Sequence, residues 1–138
     1  MGLLLDTCAL IYLTNGDPIP AAALRAVEQA EDEDSLFASI VSVWEIGLLA
    51  KAERGIAKAF VPDPRSYALE AISQPSLRRA PYTPQLAFDA SFLPLPFHND
   101  PADRLLVETA RVLRVPILTR DRKILDYAKL GHVEAIAC

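Results

Sequence analysis

Asp6 ends an apolar run in LLLDTCAL (residues 3–10), and a carboxylate in such company must neutralise, pair or bind a metal to escape the cost of burial. Three further acids hold comparable places: Glu45 in SVWEIGLLAKAERG (42–55), Asp103 in HNDPADRLLVETA (98–110) and Asp121 in ILTRD (117–121). Two unit charges 4 Å apart repel by about 4 kcal/mol at an effective dielectric near 20. Converging carboxylates therefore need protonation or a divalent cation. Hard cations such as Mg2+ and Mn2+ take oxygen ligands, and Mg2+ keeps several waters when one or two carboxylates hold it. That leaves places for a phosphate oxygen and an activated water, the requirements of metal-assisted phosphodiester hydrolysis.

Each acid also has a purely structural reading. Glu45, with Ser42 three residues ahead, reads as a capping box; Asp121 reads as an N-cap; Asp103 reads as favourable charge in a first helical turn. Asp6 could end a strand at the surface or cap the next helix. Helix starts are commonly acidic, so any one of these roles suffices alone. Together they do not explain why all the acids share one edge. Asp100, immediately before Pro101, is better placed as an N-cap than as a further ligand. His98 reads as a loop-positioning or surface residue ahead of a proton shuttle. Arg104, Arg120 and Arg122 flank the acids and could bind phosphates, although a surface ion pair accounts for each alone. Trp44 is expected in the core, with base stacking as the lesser reading.

The elements that must position these residues follow from periodicity. LLL (3–5) predicts a buried strand, and Thr7 to Leu13 a short helix ended by Asn15-Gly16. Pro20 opens AAALRAVEQA, with Leu24 and Val27 on one face, and EDEDS (31–35) reads as a solvated turn. LFASIV (36–41) predicts a second buried strand, and residues 42–55 a helix that starts at Ser42 and stops at Gly55. VPDPRSYALEAISQP (61–75) is helical at its core, LRRAPY (77–82) a third strand, and PQLAFDASFLP (84–94) a short helix. Pro101 opens PADRLLVETARVLR, whose Ala102, Leu106, Ala110 and Leu113 form one apolar stripe. VPILT (115–119) is a strand, RDRKILDYAKLG a short helix, and HVEAIA a final strand. Strands alternating with helices favour a parallel sheet covered on both faces. In such a sheet the strand C-ends and helix N-ends share the edge where ligands bind. Asp6, Glu45, Asp103 and Asp121 are expected there.

Composition narrows the class. A chain of 138 residues, 51% hydrophobic, is expected to fold as one domain over residues 1–138 without disulfides or structural metal. Its net charge of −4 argues against binding nucleic acid through a broad basic face, but not against gripping phosphates through metal ions and a few arginines. No apolar stretch approaches the roughly 20 residues of a membrane helix. No basic segment precedes LLL and no small-residue cleavage site follows it, so no signal peptide is expected. Cys8 and Cys138 lie at opposite ends without metal-ligand spacing, which suits a reduced cytoplasmic protein.

LLLDTCAL, SVWEIGLLAKAERG, HNDPADRLLVETA and ILTRD resemble, in order, the four acidic blocks of PIN-domain ribonucleases, most closely the VapC-type toxins of bacterial toxin–antitoxin pairs. The resemblance spans Leu3 to about Tyr127. It implies a PIN-like three-layer α/β/α sandwich with a central parallel sheet and Mg2+- or Mn2+-dependent endoribonuclease activity. It places the catalytic and metal-binding quartet on Asp6, Glu45, Asp103 and Asp121, with Thr7 and Thr119 at positions that often carry a hydroxyl near the acids. Asp100 and Arg104 are possible supporting residues. It further implies an RNA substrate, a homodimer, and a cognate VapB-type antitoxin that covers the groove beside the acids. Two other classes fail on the residues: a haloacid dehalogenase-like phosphatase needs an acid where Cys8 stands, and a receiver domain needs an early acidic pair and a late lysine that this chain lacks. A PIN-like module without catalysis, or an RNA-processing nuclease without an antitoxin, remains as the alternative.

Overall fold

Three consecutive leucines, each buried, form the middle of the sheet, as a parallel strand covered on both faces requires. The computed structural model describes residues 1–52 and 55–138. In chain order its strands are β1 (Leu3–Leu5), β2 (Leu36–Ala38), β3 (Arg78–Arg79), β4 (Ile117–Thr119) and β5 (Ala135–Ala137). They are arranged β3-β2-β1-β4-β5, and every pairing is parallel. The helices are α1 (Thr7–Asn15), α2 (Ala21–Asp32), α3 (Ile40–Lys51), α4 (Pro64–Ile72), α5 (Pro84–Asp89), α6 (Pro101–Leu113) and α7 (Arg122–Ala128).

Alternation along each strand divides the core into two layers. Leu3, Leu5, Leu36, Ala38 and Leu118 pack on one side with Leu10 and Ile11 of α1, Val27 of α2 and Tyr67 and Ile72 of α4. Leu4 and Ile117 face the other way, against Leu106 and Val107 of α6 and Ile124 and Tyr127 of α7. The register agrees, with Leu5 beside Leu118 and Leu4 beside Ile117. The expected three-layer α/β/α sandwich is what forms. Outward growth from β1 through β2 to β3, then a return to β4 on the far side of β1, places the topological switch point between β1 and β4. In open α/β sheets the ligand crevice lies beyond the strand C-ends at such a point.

Several boundaries differ from expectation. β2 stops at Ala38, and Ser39 caps α3 by accepting from the Val41 amide at 3.0 Å. Ile40 and Val41, β-branched and strand-like in sequence, are therefore the first helical residues. Ser42 is not the cap, and Glu45 lies in the second turn rather than the first. The helix ends at Lys51, while Gly55, expected to stop it, opens a 3-10 turn over Gly55–Ala59; residues 53 and 54 of the expected helix lie outside those described. The third strand shrinks to Arg78–Arg79, both exposed, a short charged edge of the kind that resists pairing with other chains. On α2 the buried face is Ala23, Val27 and Ala30, and Leu24 points outward. Trp44, expected in the core, is 52% exposed, because Val41, Ser42 and Ile46 fill the buried face of α3. Gly16 ends α1 as expected, at φ 71°, and its amide bonds the Leu13 carbonyl. Among the described residues no helix is long and apolar enough to cross a membrane.

Candidate active site

β1 delivers Asp6 into the switch-point crevice, and both of its oxygens are fixed. Oδ1 accepts from the Ala9 amide at 2.7 Å, capping α1. Oδ2 accepts from Thr119 Oγ1 at the end of β4, at 2.5 Å. Burial pushes its carboxyl up to about 6, opposed by those hydrogen bonds and reinforced more weakly by the charge of Asp121. Thr119 is the joint between the two strands, since its oxygen also accepts from the Asp121 amide at 2.9 Å. Asp121 caps α7 through Oδ1, which accepts from the Lys123 amide at 2.7 Å. Both predicted caps therefore exist, and neither excludes a second role, because a carboxylate has about four lone-pair sites.

Glu45 reaches the crevice from α3. Thr7 Oγ1 hydrogen-bonds its Oε1 and also Ser42 Oγ, the latter at 3.0 Å. Ser42 thus joins the site through the i, i+3 spacing that had suggested a capping box. Burial raises the Glu45 carboxyl, with smaller contributions from Asp100, Asp6 and Asp121. Asp103 occupies the first turn of α6, where Asp100, not Asp103, is the cap: Asp100 Oδ1 accepts from the Asp103 amide at 3.0 Å. Burial, then the charges of Asp121, Asp100, Glu45 and Asp6, push the Asp103 carboxyl up to about 7. Asp6, Glu45, Asp103 and Asp121 thus come from four separate elements, and the charge of Asp121 bears on each of the other three.

Among the described residues none of these acids pairs with a lysine or arginine, and the imidazole Nε2 of His98 lies 3.2 Å from Asp103 Oδ2. Among the same residues no three His, Cys, Asp or Glu side chains close into a metal-binding group. The donor set is all oxygen, and burial first, then neighbouring carboxylates, raises the carboxyls of Asp6, Glu45 and Asp103. That combination fits a hard dication held by few direct carboxylates and completed by water.

Arg104, read from sequence as a phosphate binder or a surface ion pair, makes no ion pair among the described residues and turns its guanidinium to main-chain carbonyls. Its guanidinium donates to the carbonyls of Ala90 (3.0 Å), Ser91 (3.0 Å), His98 (3.0 Å) and Phe97 (3.4 Å). It staples two loop segments to the start of α6. Hydrogen bonds from a charged group contribute roughly 1.5–3 kcal/mol each when isolated, so Arg104→Ala is expected to cost about 2–3 kcal/mol in urea denaturation. Unchanged stability with weakened RNA binding would instead restore the phosphate role. Arg120 lies over the Tyr12 ring at 4.2 Å and donates to the Cys138 carbonyl, whereas Arg122 is exposed at the start of α7.

A three-layer sandwich with a parallel sheet and carboxylates at its switch point defines an open α/β fold class that binds its ligands at that edge. Within it, the chain belongs to the PIN domain family, whose model matches residues 3–130. It is 33% identical to Ribonuclease VapC22 of Mycobacterium tuberculosis over 124 residues, 88% of each chain. Its fold is similar to that in the crystal structure of VapBC2 from Rickettsia felis bound to a promoter DNA fragment, with a TM-score of 0.65 at 14% identity, covering 99% of this chain and 98% of the other. It is also similar to FitAcB from Neisseria gonorrhoeae, with a TM-score of 0.53 at 16% identity, covering 97% and 96%.

Proposed function

We propose that this chain is a metal-dependent endoribonuclease, the cytoplasmic toxin of a type II toxin–antitoxin pair, hydrolysing RNA phosphodiester bonds with Asp6, Glu45, Asp103 and Asp121. The observation that carries the reading is the crowding of these acids at the switch point, with Asp6, Glu45 and Asp103 all raised and no lysine or arginine paired to them among the described residues. Similarity to Ribonuclease VapC22 supports RNA as the substrate.

Bound there, Mg2+ or Mn2+ supplies a Lewis acid for a phosphate oxygen and lowers the pKa of a bound water. Asp6 would hold the ion with little reorganisation, because Ala9 and Thr119 already fix its carboxyl. Asp103 would ligate from α6, and Asp121 through the oxygen its cap leaves free. Glu45, steered by Thr7, would ligate or orient the attacking water. Cleavage of RNA by the purified chain is expected to stop in EDTA and return with Mn2+. Cutting that continues undiminished in EDTA would remove the reading.

The VapBC complex among the similar structures supports a VapB-type antitoxin as partner. Residues 59–75 offer little apolar surface for association: Phe60, Tyr67, Ala68 and Ile72 are buried there, and Val61 and Leu69 are exposed. Exposed apolar side chains lie instead along α3, at Ile40, Trp44 and Leu48, and at Phe88, Phe92 and Leu95. Such patches mark association surfaces, and we assign them to a homodimer and to the antitoxin. Light scattering at micromolar concentration is expected to report a dimer; a strict monomer would remove that part.

A further inference from the structure

His98 has no role in the chemistry described above, yet its ring is fixed from several sides. Phe97 lies against it with ring centroids 4.4 Å apart. Its Nδ1 accepts from the Asp100 amide at 3.2 Å, and its carbonyl accepts from Arg104 at 3.0 Å. Because Nδ1 accepts, the ring proton sits on Nε2. That nitrogen is hidden from solvent and lacks a well-aligned acceptor, although Asp103 Oδ2 stands 3.2 Å away, off the N–H axis. A buried donor calls for a partner, and the Asp103 carboxyl is the acceptor within reach. A proton shuttle needs a ring nitrogen free to exchange with solvent. Here one nitrogen is held by a backbone amide and the other faces a carboxylate.

We propose that His98 is a positioning residue: its Nε2–H holds Oδ2 of Asp103, so that Oδ1 is the oxygen turned toward the cation. The inference rests on the metal-dependent reading of the site. It gives the HNDPADR stretch one task, in which Asp100 sets the tautomer of His98, Arg104 fixes its backbone, and His98 sets the orientation of Asp103. Groups that orient a metal ligand typically change metal affinity by about 10–100-fold when removed.

The test measures Mn2+ binding to RNA-free protein by electron paramagnetic resonance. His98→Phe keeps a ring against Phe97 and deletes the donor, whereas His98→Gln returns an amide N–H near the position of Nε2. The Mn2+ dissociation constant is expected to rise roughly 10–100-fold in His98→Phe and less than about threefold in His98→Gln. Long-range 1H–15N spectra of metal-free wild type test the same contact if His98→Phe fails to fold. They are expected to show the proton on Nε2 and an Nε2 resonance that moves in Asp103→Asn. Wild-type Mn2+ affinity in folded His98→Phe, a ring protonated on Nδ1, or a resonance indifferent to Asp103→Asn would overturn the inference alone. Wild type that binds no Mn2+ would overturn the metal-dependent reading and the inference with it.

Discussion

Asp6→Asn is expected to lower RNA cleavage by at least about a hundredfold, more than the loss of an orienting neighbour typically costs, while leaving the protein folded. Asparagine caps helices as well as aspartate does, so an amide oxygen can still accept from the Ala9 amide in place of Oδ1. The amide nitrogen can take the place of Oδ2 and donate to Thr119 Oγ1, which has lone pairs for it and for the Asp121 amide. The negative charge is what disappears. Single-turnover cleavage of labelled RNA, with near-ultraviolet circular dichroism as the folding control, checks this. A folded variant that cuts within about threefold of wild type, a difference under 1 kcal/mol, would take Asp6 out of the reaction.

Asp103→Asn is expected to melt higher than wild type in EDTA. If Asp103 only favoured its helix N-terminus, losing the charge would cost about 0.3–1 kcal/mol. Its carboxyl is instead raised from 3.8 to about 7, chiefly by burial and then by Asp121. A raised acid contributes its stability below its unfolded value and loses it as pH climbs through the folded one. For Asp103 that loss runs from about pH 4 to above pH 7. Taken whole, the difference would be near 4 kcal/mol, and solvent access to the side chain reduces it to about 1–2 kcal/mol. The cost of the buried charge outweighs its favourable dipole interaction, so the variant gains most at pH 8 and little at pH 5. Adding Mn2+ should narrow or reverse the gap, because an ion that binds the native state stabilises it and the variant has lost a ligand. Melts at both pH values, with and without Mn2+, decide it. A variant that melts lower in EDTA and responds to Mn2+ as wild type does would return Asp103 to a helix-dipole role.

What the sequence reveals, and what it hides, follows from the range of the interactions involved. Leu3, Leu4 and Leu5 are legible because a strand covered on both faces is apolar throughout. The acids are legible because in a parallel sheet a position just past a strand or at a helix start is also a position in space. The start of α3 is hidden, since Ile40 and Val41 have strand propensity and Ser39 outcompetes Ser42 for the cap through one backbone amide. Trp44 misleads because an aromatic in an apolar helix is usually core, and here smaller residues already fill that face. Arg104 is invisible for a different reason. Its partners are main-chain carbonyls at residues 90–91 and 97–98, and no side-chain pattern encodes where two loops will bring their carbonyls. The contact of His98 with Asp103 depends on that same loop path.

The bond from Thr119 to Asp6 also sets a timetable, because it joins residues 113 positions apart. On a ribosome adding roughly 5–20 residues per second, Asp6 emerges on the order of ten seconds before Thr119 exists. During that interval the nascent chain owns β1, β2 and β3 with Asp6 and Glu45, but Asp121 has not been made. Insertion of β4 beside β1, which brings Thr119 to Asp6, therefore comes late. Assembly of the crevice around Asp6, Glu45, Asp103 and Asp121 thus waits on the C-terminal part of the chain.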